Sequence, residues 1–147
     1  MKPENLLIDE NDVLKIADFG VSTIMENGND QLSNNAGTKA FLAPETWDGK
    51  PFKGKKADVW AAAATLYYLV VGKLPFHAAN AEDLKKKIQE DMYFFEKLEN
   101  FYKIIKRPEF PNDMPASLQD LILKGLEKNP EKRITVPMMM VKKLSIF

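Results

Sequence analysis

Asn5 and Asp18 are the residues whose types and spacing best suit chemistry. An amide oxygen lies in Lys2-Pro3-Glu4-Asn5, and a carboxylate opens Asp18-Phe19-Gly20. Both are hard oxygen donors, the kind that hold Mg²⁺ while phosphate oxygens complete its coordination shell. Lys2 adds a fixed positive charge three residues before the amide, and Gly20 allows the backbone a sharp turn beside the carboxylate. Taken singly, Asn5 could cap a turn and Asp18 could be an ordinary strand-end carboxylate. A scaffold that brings the two together is therefore the first thing to look for.

The intervening residues supply one. Two short apolar runs, residues 6–8 and 13–16, flank Asp9-Glu10-Asn11-Asp12, whose types favour tight turns, so a small hairpin is expected. A hairpin returns the chain to its starting point, so Asn5 and Asp18 should face one site. The acidic turn also faintly resembles a Ca²⁺ loop, but Val13 and Leu14 stand where such a loop needs a ligand and a glycine. Residues 20–37 are rich in Asn, Gly, Asp and Ser without a sustained apolar period, and are expected to form a long mobile loop. Ala43-Pro44-Glu45 then opens a short helical turn. Residues 48–56 read as a surface loop. Residues 57–71 form the strongest helix, apolar on nearly every side and stopped by Gly72. Asn80 caps a helix through about Glu90, Ser117 caps another that ends near Asn129-Pro130, and a last helix starts near Pro137. The aromatic-rich residues 91–107 read as an inserted packing helix.

Composition narrows the function. The 147 residues carry 21 Lys+Arg and 21 Asp+Glu, so formal net charge is zero, which argues against general nucleic-acid binding. Residues 1–50 hold four of the basic residues against nine of the acidic ones. With no Cys, disulfides, thiolate metal sites and cysteine nucleophiles are excluded. One histidine, His77, leaves no His pair for a metal and is expected to pack or cap in a loop. The longest apolar run, residues 59–71, falls short of the roughly 20 residues that a membrane span needs. No signal peptide is visible at the N-terminus. A cytoplasmic protein without nucleic-acid or membrane partners is expected.

In order, Lys2-Pro3-Glu4-Asn5, the hairpin, Asp18-Phe19-Gly20, Gly37-Thr38, Ala43-Pro44-Glu45, Asp58-Val59-Trp60 and Asn129 to Arg133 resemble the eukaryotic protein-kinase family. Lys2 in the catalytic loop is the serine/threonine form. The runs IADFGVS, LSNNAGTKAFLAPE and GKKADVWAAAATLYYLVVGKLPF look most like calcium/calmodulin-dependent protein kinase kinases, which phosphorylate other kinases. Asn34 stands where many kinases carry a phosphorylatable residue, although Ser33 is adjacent.

The resemblance implies ATP and Mg²⁺ as cofactors and a protein substrate, with the subfamily likeness pointing to another kinase. Asn5 and Asp18 would hold Mg²⁺, and Lys2 would neutralise charge on the phosphoryl group. Thr38 would hydrogen-bond into the catalytic loop and help to place the substrate hydroxyl. Leu7 would floor the adenine pocket, and the Glu4 backbone would lie near the ribose. Phe41 and Leu42 would help form a pocket for the residue after the target. Glu45 would pair with Arg133, and Asp58 would anchor the catalytic loop. The implied fold is mainly α: a kinase-like C-terminal lobe with a short hairpin, an activation loop, then four to six helices, spanning residues 1–147. No glycine-rich loop, N-lobe lysine or His-Arg-Asp segment precedes Met1. The chain alone is therefore expected to be inactive, with part of its apolar surface wet. A non-catalytic kinase-like binding module is the alternative. Ala63 replaces a usual glycine in the central helix, and no calmodulin-target segment follows Phe147.

Overall fold

The computed structural model describes residues 1–25, 27–34, 36–90 and 108–138. Leu6–Ile8 (β1) and Leu14–Ile16 (β2) pair antiparallel, with Leu6 opposite Ile16 and Ile8 opposite Leu14. Asp9 builds the connecting turn. Its Oδ1 accepts the backbone N–H groups of Asn11 at 3.0 Å and Val13 at 2.9 Å, which holds the carboxyl below its ordinary range. Asp12 closes the turn at φ 59°, a left-handed conformation that Asp tolerates.

The stretch expected as one long loop carries structure in its middle. Gln31–Leu32 (β3) pairs antiparallel with Phe52–Lys53 (β4), within the residues expected as surface loop. Both expectations are corrected by this ladder, whose partners lie too far apart in sequence for any local pattern to reveal. The central helix, Gly54–Val71 (α1), consequently begins three residues earlier than its apolar run. Gly72, at φ 75°, ends it by donating its N–H to the Tyr68 carbonyl at 2.9 Å.

Val59, Trp60, Ala61, Ala63, Ala64 and Tyr67 of α1 are buried and organise the core. Trp60 stacks on Phe76 with ring centroids 5.7 Å apart. Ala81–Glu90 (α2) is capped as expected, Asn80 Oδ1 accepting the Asp83 N–H at 2.9 Å, and it buries Leu84 and Ile88. Ala116–Gly125 (α3) starts directly after Pro115, so Ser117 lies inside its first turn and does not cap it. It also ends before Asn129, with the Leu126 N–H bonded to the Ile122 carbonyl at 2.9 Å. Gly125 faces Ala63 so closely that an added Cβ would collide with the Ala63 Cβ. The missing methyl on α3 thus makes room for the extra one on α1.

Elsewhere apolar surface faces solvent. Ile8 is 69% exposed and Leu69 is 58% exposed, with Leu14, Ile16, Tyr68 and Val70 also open. His77 is exposed rather than packed, and its carbonyl accepts Lys87 Nζ at 2.9 Å. The inserted stretch 91–107 lies outside the described residues. So does most of the last expected helix, of which residues 136–138 are helical.

Candidate functional site

The hairpin positions the site through one cross-strand bond. Pro3–Asn5 forms a single 3₁₀ turn that begins with proline, whose fixed φ suits a first helical position. The Asn5 N–H donates back to the Lys2 carbonyl at 3.1 Å. Its own carbonyl accepts the Ala17 N–H at 2.8 Å, extending the β1–β2 ladder by one step, so Asp18 emerges beside Asn5. Asp18 adopts φ 60°, and this left-handed turn swings its carboxylate over the amide.

Asn5 Nδ2 donates to Asp18 Oδ2 at 3.3 Å, and the Gly20 N–H donates to Asp18 Oδ1 at 3.2 Å. Both bonds are longer than the usual 2.9–3.0 Å or so for N–H···O, and both are exposed. They are weak enough for a cation to displace. The sharp turn expected at Gly20 belongs to Asp18 itself; Gly20 instead supplies a donor, and a Cβ there would crowd Asp18 Oδ1 at 3.2 Å. Among the described residues, the Asn5 side-chain amide oxygen, Oδ1, and the Lys2 ammonium have no hydrogen-bond or ion-pair partner.

Other expected residues stand apart from this pair. Thr38 is exposed, and its hydroxyl makes no hydrogen bond among the described residues, so the expected link to the 2–5 segment is absent. Glu4 is exposed, and Leu7, opposite Lys15 on the hairpin, is 53% exposed. Phe41 is buried in the core with Ala43 and Trp60, while Leu42 is half-buried. Asp58 makes no hydrogen bond to residues 2–5, so the expected anchoring contact is not seen among the described residues. Burial by the surrounding protein pushes its carboxyl above the ordinary range, an effect limited by the residue's exposure to solvent.

Glu45 and Arg133 meet as expected. Arg133 is fully buried, and its guanidinium lies 5.1 Å from the Trp60 ring centroid. Nη1 and Nη2 donate to the two Glu45 carboxylate oxygens at 2.6 and 2.9 Å. The remaining donors reach carbonyls of Glu127 at 2.7 Å, Lys56 at 2.8 Å and Lys128 at 3.2 Å. All five guanidinium N–H groups are thus used, and one cation ties residues 43–46, the start of α1 and the 127–133 segment together.

Among the described residues, no group of three or more His, Cys, Asp or Glu could hold a metal ion. Asn5 and Asp18 offer one amide oxygen and one carboxylate, too few for an all-protein cage but suited to a hard cation that also binds phosphate oxygens. Sequence reading missed the Asn5–Ala17 bond and the Gly20 N–H donor. The only hint of either was the close spacing of Asp18 and Gly20.

The family model described as protein kinase domain matches residues 1–145. CBL-interacting protein kinase 26 of Oryza sativa subsp. japonica is 37% identical over 139 residues, covering 93% of this chain and 25% of that protein. CBL-interacting serine/threonine-protein kinase 20 of Arabidopsis thaliana is 37% identical over 142 residues, covering 95% and 29%. Sucrose non-fermenting protein kinase 1 of Fusarium virguliforme is 40% identical over 136 residues, covering 92% and 17%. The chain therefore spans between 17% and 29% of the length of these relatives. It belongs to the protein kinase domain family.

Proposed function

We propose that this chain is the catalytic-loop-to-C-terminal portion of a serine/threonine protein kinase that transfers the ATP γ-phosphoryl group to a protein hydroxyl. The observation that carries the reading is the 3.3 Å approach of Asn5 to Asp18. Bound Mg²⁺ would supply charge neutralisation across the phosphates. Asn5, turning its free amide oxygen inward, and Asp18, releasing its two weak bonds, would hold it. Lys2, free of any ion pair among the described residues, would place its ammonium against the phosphoryl oxygens as negative charge develops there. Leu7 presents an apolar side chain from the hairpin for a flat base to cover. Thr38 would find its partner only once a catalytic-base segment lies beside residues 2–5.

That segment and an N-terminal lobe are required for transfer, so the 147-residue chain alone is inactive in this reading. Resemblance to the calcium/calmodulin-dependent kinase kinases rests on residue runs alone, and a kinase substrate is inferred from those runs. A binding module without catalysis is the second reading, favoured by the exposed apolar residues of the hairpin and of the end of α1.

A chimera separates the two. The part of the rice CBL-interacting protein kinase 26 that precedes its matched region is fused at Met1, and the product is assayed with radiolabelled ATP and a serine-containing peptide. Transfer by the chimera, loss of transfer in Asp18→Asn, and no transfer by the 147-residue chain are expected. A folded chimera without activity would leave the module reading standing.

A further inference from the structure

The ladder between β3 and β4 joins two segments that neither motif nor apolar period connects. We propose that it is a latch, holding the middle of the 20–37 segment against the N-terminus of α1 without any modification of the chain, and opening independently of the core.

Its attachment is specific. Lys53, the residue before α1, makes no side-chain cap, so the first amides of the helix need acceptors from elsewhere. The Asp30 carbonyl supplies one, accepting the Gly54 N–H at 2.7 Å. The loop therefore caps the central helix. Asn29 Oδ1 accepts the Gln31 N–H at 3.1 Å and directs the chain into the strand. Leu32, opposite buried Phe52, lies directly over Gly54, where an added Cβ would stand only 2.8 Å from Leu32 Cδ1. Glycine at 54 is what admits the leucine.

The receiving side is anchored. Lys53 pairs with Glu131 at 2.9 Å, and Lys56 Nζ donates to the Arg133 carbonyl at 2.7 Å. Arg133 also grips Glu45, so the segment after Asp18 is fixed at its middle and its end to one interior hub. The ladder itself is only two residues long and is flanked by exposed residues 27–29 and 33–34. Little area holds it, so it opens at a free energy well below that of global unfolding. The hold consists of backbone bonds and one aliphatic contact, with the Asp30 carboxylate adding a minor attraction to Lys53 across the ladder. It forms with the chain unmodified and needs no phosphate.

That the latch orders a substrate-handling segment rests on the proposed function; the latch itself does not. Amide hydrogen exchange on the 147-residue chain tests it. In Leu32→Gly and in Gly54→Ala, the residue-54 amide should exchange at least about tenfold faster than in the parent, equivalent to about 1.4 kcal/mol. Amides of Ala61, Ala63 and Ala64 should keep their parental rates, and Leu32→Ile should restore most of the protection. An unaltered residue-54 amide in both variants would overturn the proposal. So would acceleration in step with the α1 interior, because the ladder would then open only with the whole fold. If the exchange result holds while the chimera is inactive, the functional reading fails and the latch stands.

Discussion

Replacing Glu45 by glutamine tests whether the Arg133 hub holds the fold. The substitution keeps shape and one acceptor oxygen, but it turns the other oxygen into an amide group facing an Arg133 donor. One of the two bonds, 2.6 and 2.9 Å in the parent, becomes a donor–donor contact. The guanidinium, whose side chain is 0% exposed, then remains buried without its counterion. Breaking such a buried pair from one side costs about 3–5 kcal/mol, because the surviving charge is left uncompensated. Arg133→Met should also destabilise, since it strands the carbonyls of Glu127, Lys56 and Lys128. Glu45 suffers less, because 14% of its side chain already meets water. The double variant should therefore cost less than the sum of the two, by about 0.5–3 kcal/mol of coupling. Urea unfolding followed by the combined fluorescence of Trp47 and Trp60 measures all three. Raising salt should barely change the Glu45→Gln cost, since a desolvated pair is poorly screened, whereas the exposed Lys53–Glu131 pair should weaken. A Glu45→Gln protein within 1 kcal/mol or so of the parent would refute the reasoning from buried-charge compensation.

Gly125→Ala should destabilise by about 1–3 kcal/mol through overpacking against Ala63, and Ala63→Gly in the same chain should recover most of that loss. Were Gly125→Ala stabilising in thermal unfolding, helix propensity would outweigh the α1–α3 contact. Acid should loosen the β1–β2 turn. Asp9's folded carboxyl lies below its ordinary value of 3.8, so its contribution is present above that value and is lost as pH falls through the lower, folded one. Amide shifts of Asn11 and Val13 should follow this titration and become pH-independent in Asp9→Asn, whose side-chain carbonyl can still accept both N–H groups. Persistence of the titration in the variant would assign it to another group.

What the sequence made legible was local or motif-borne. The hairpin followed from two apolar runs around four turn-forming residues, α2 from Asn80 with its i, i+4 apolar pair, and the end of α1 from Gly72. The Asn5–Asp18 meeting followed from the hairpin, because antiparallel pairing returns the chain to its start. Asp18's own left-handed backbone was hidden behind the glycine two residues later, the more permissive residue and so the natural suspect. Ser117 looked like a cap by type, yet Pro115 already sets the φ with which α3 starts, and the serine falls inside the turn.

The ladder was invisible for a different reason. Its two strands are each two residues long, too short for an alternation to register, and their pairing is decided by a void over Gly54 that exists only once α1 has formed. Glycine at the head of a helix reads locally as a weak start; against Leu32 it is the socket of a long-range contact. The same holds for Gly125 and Ala63, where each residue alone suggests only a helix preference and the pair sets how closely two helices approach. Tertiary contacts of small residues thus carry the part of this fold that composition and periodicity omit. They converge on the same stretch of α1 that Arg133 ties to Glu45. The candidate site residues Asn5 and Asp18 hang from a hairpin that is itself largely exposed, so the rigidity of this fold resides in α1 and its hub, and the Asn5–Asp18 pair lies at its softer edge.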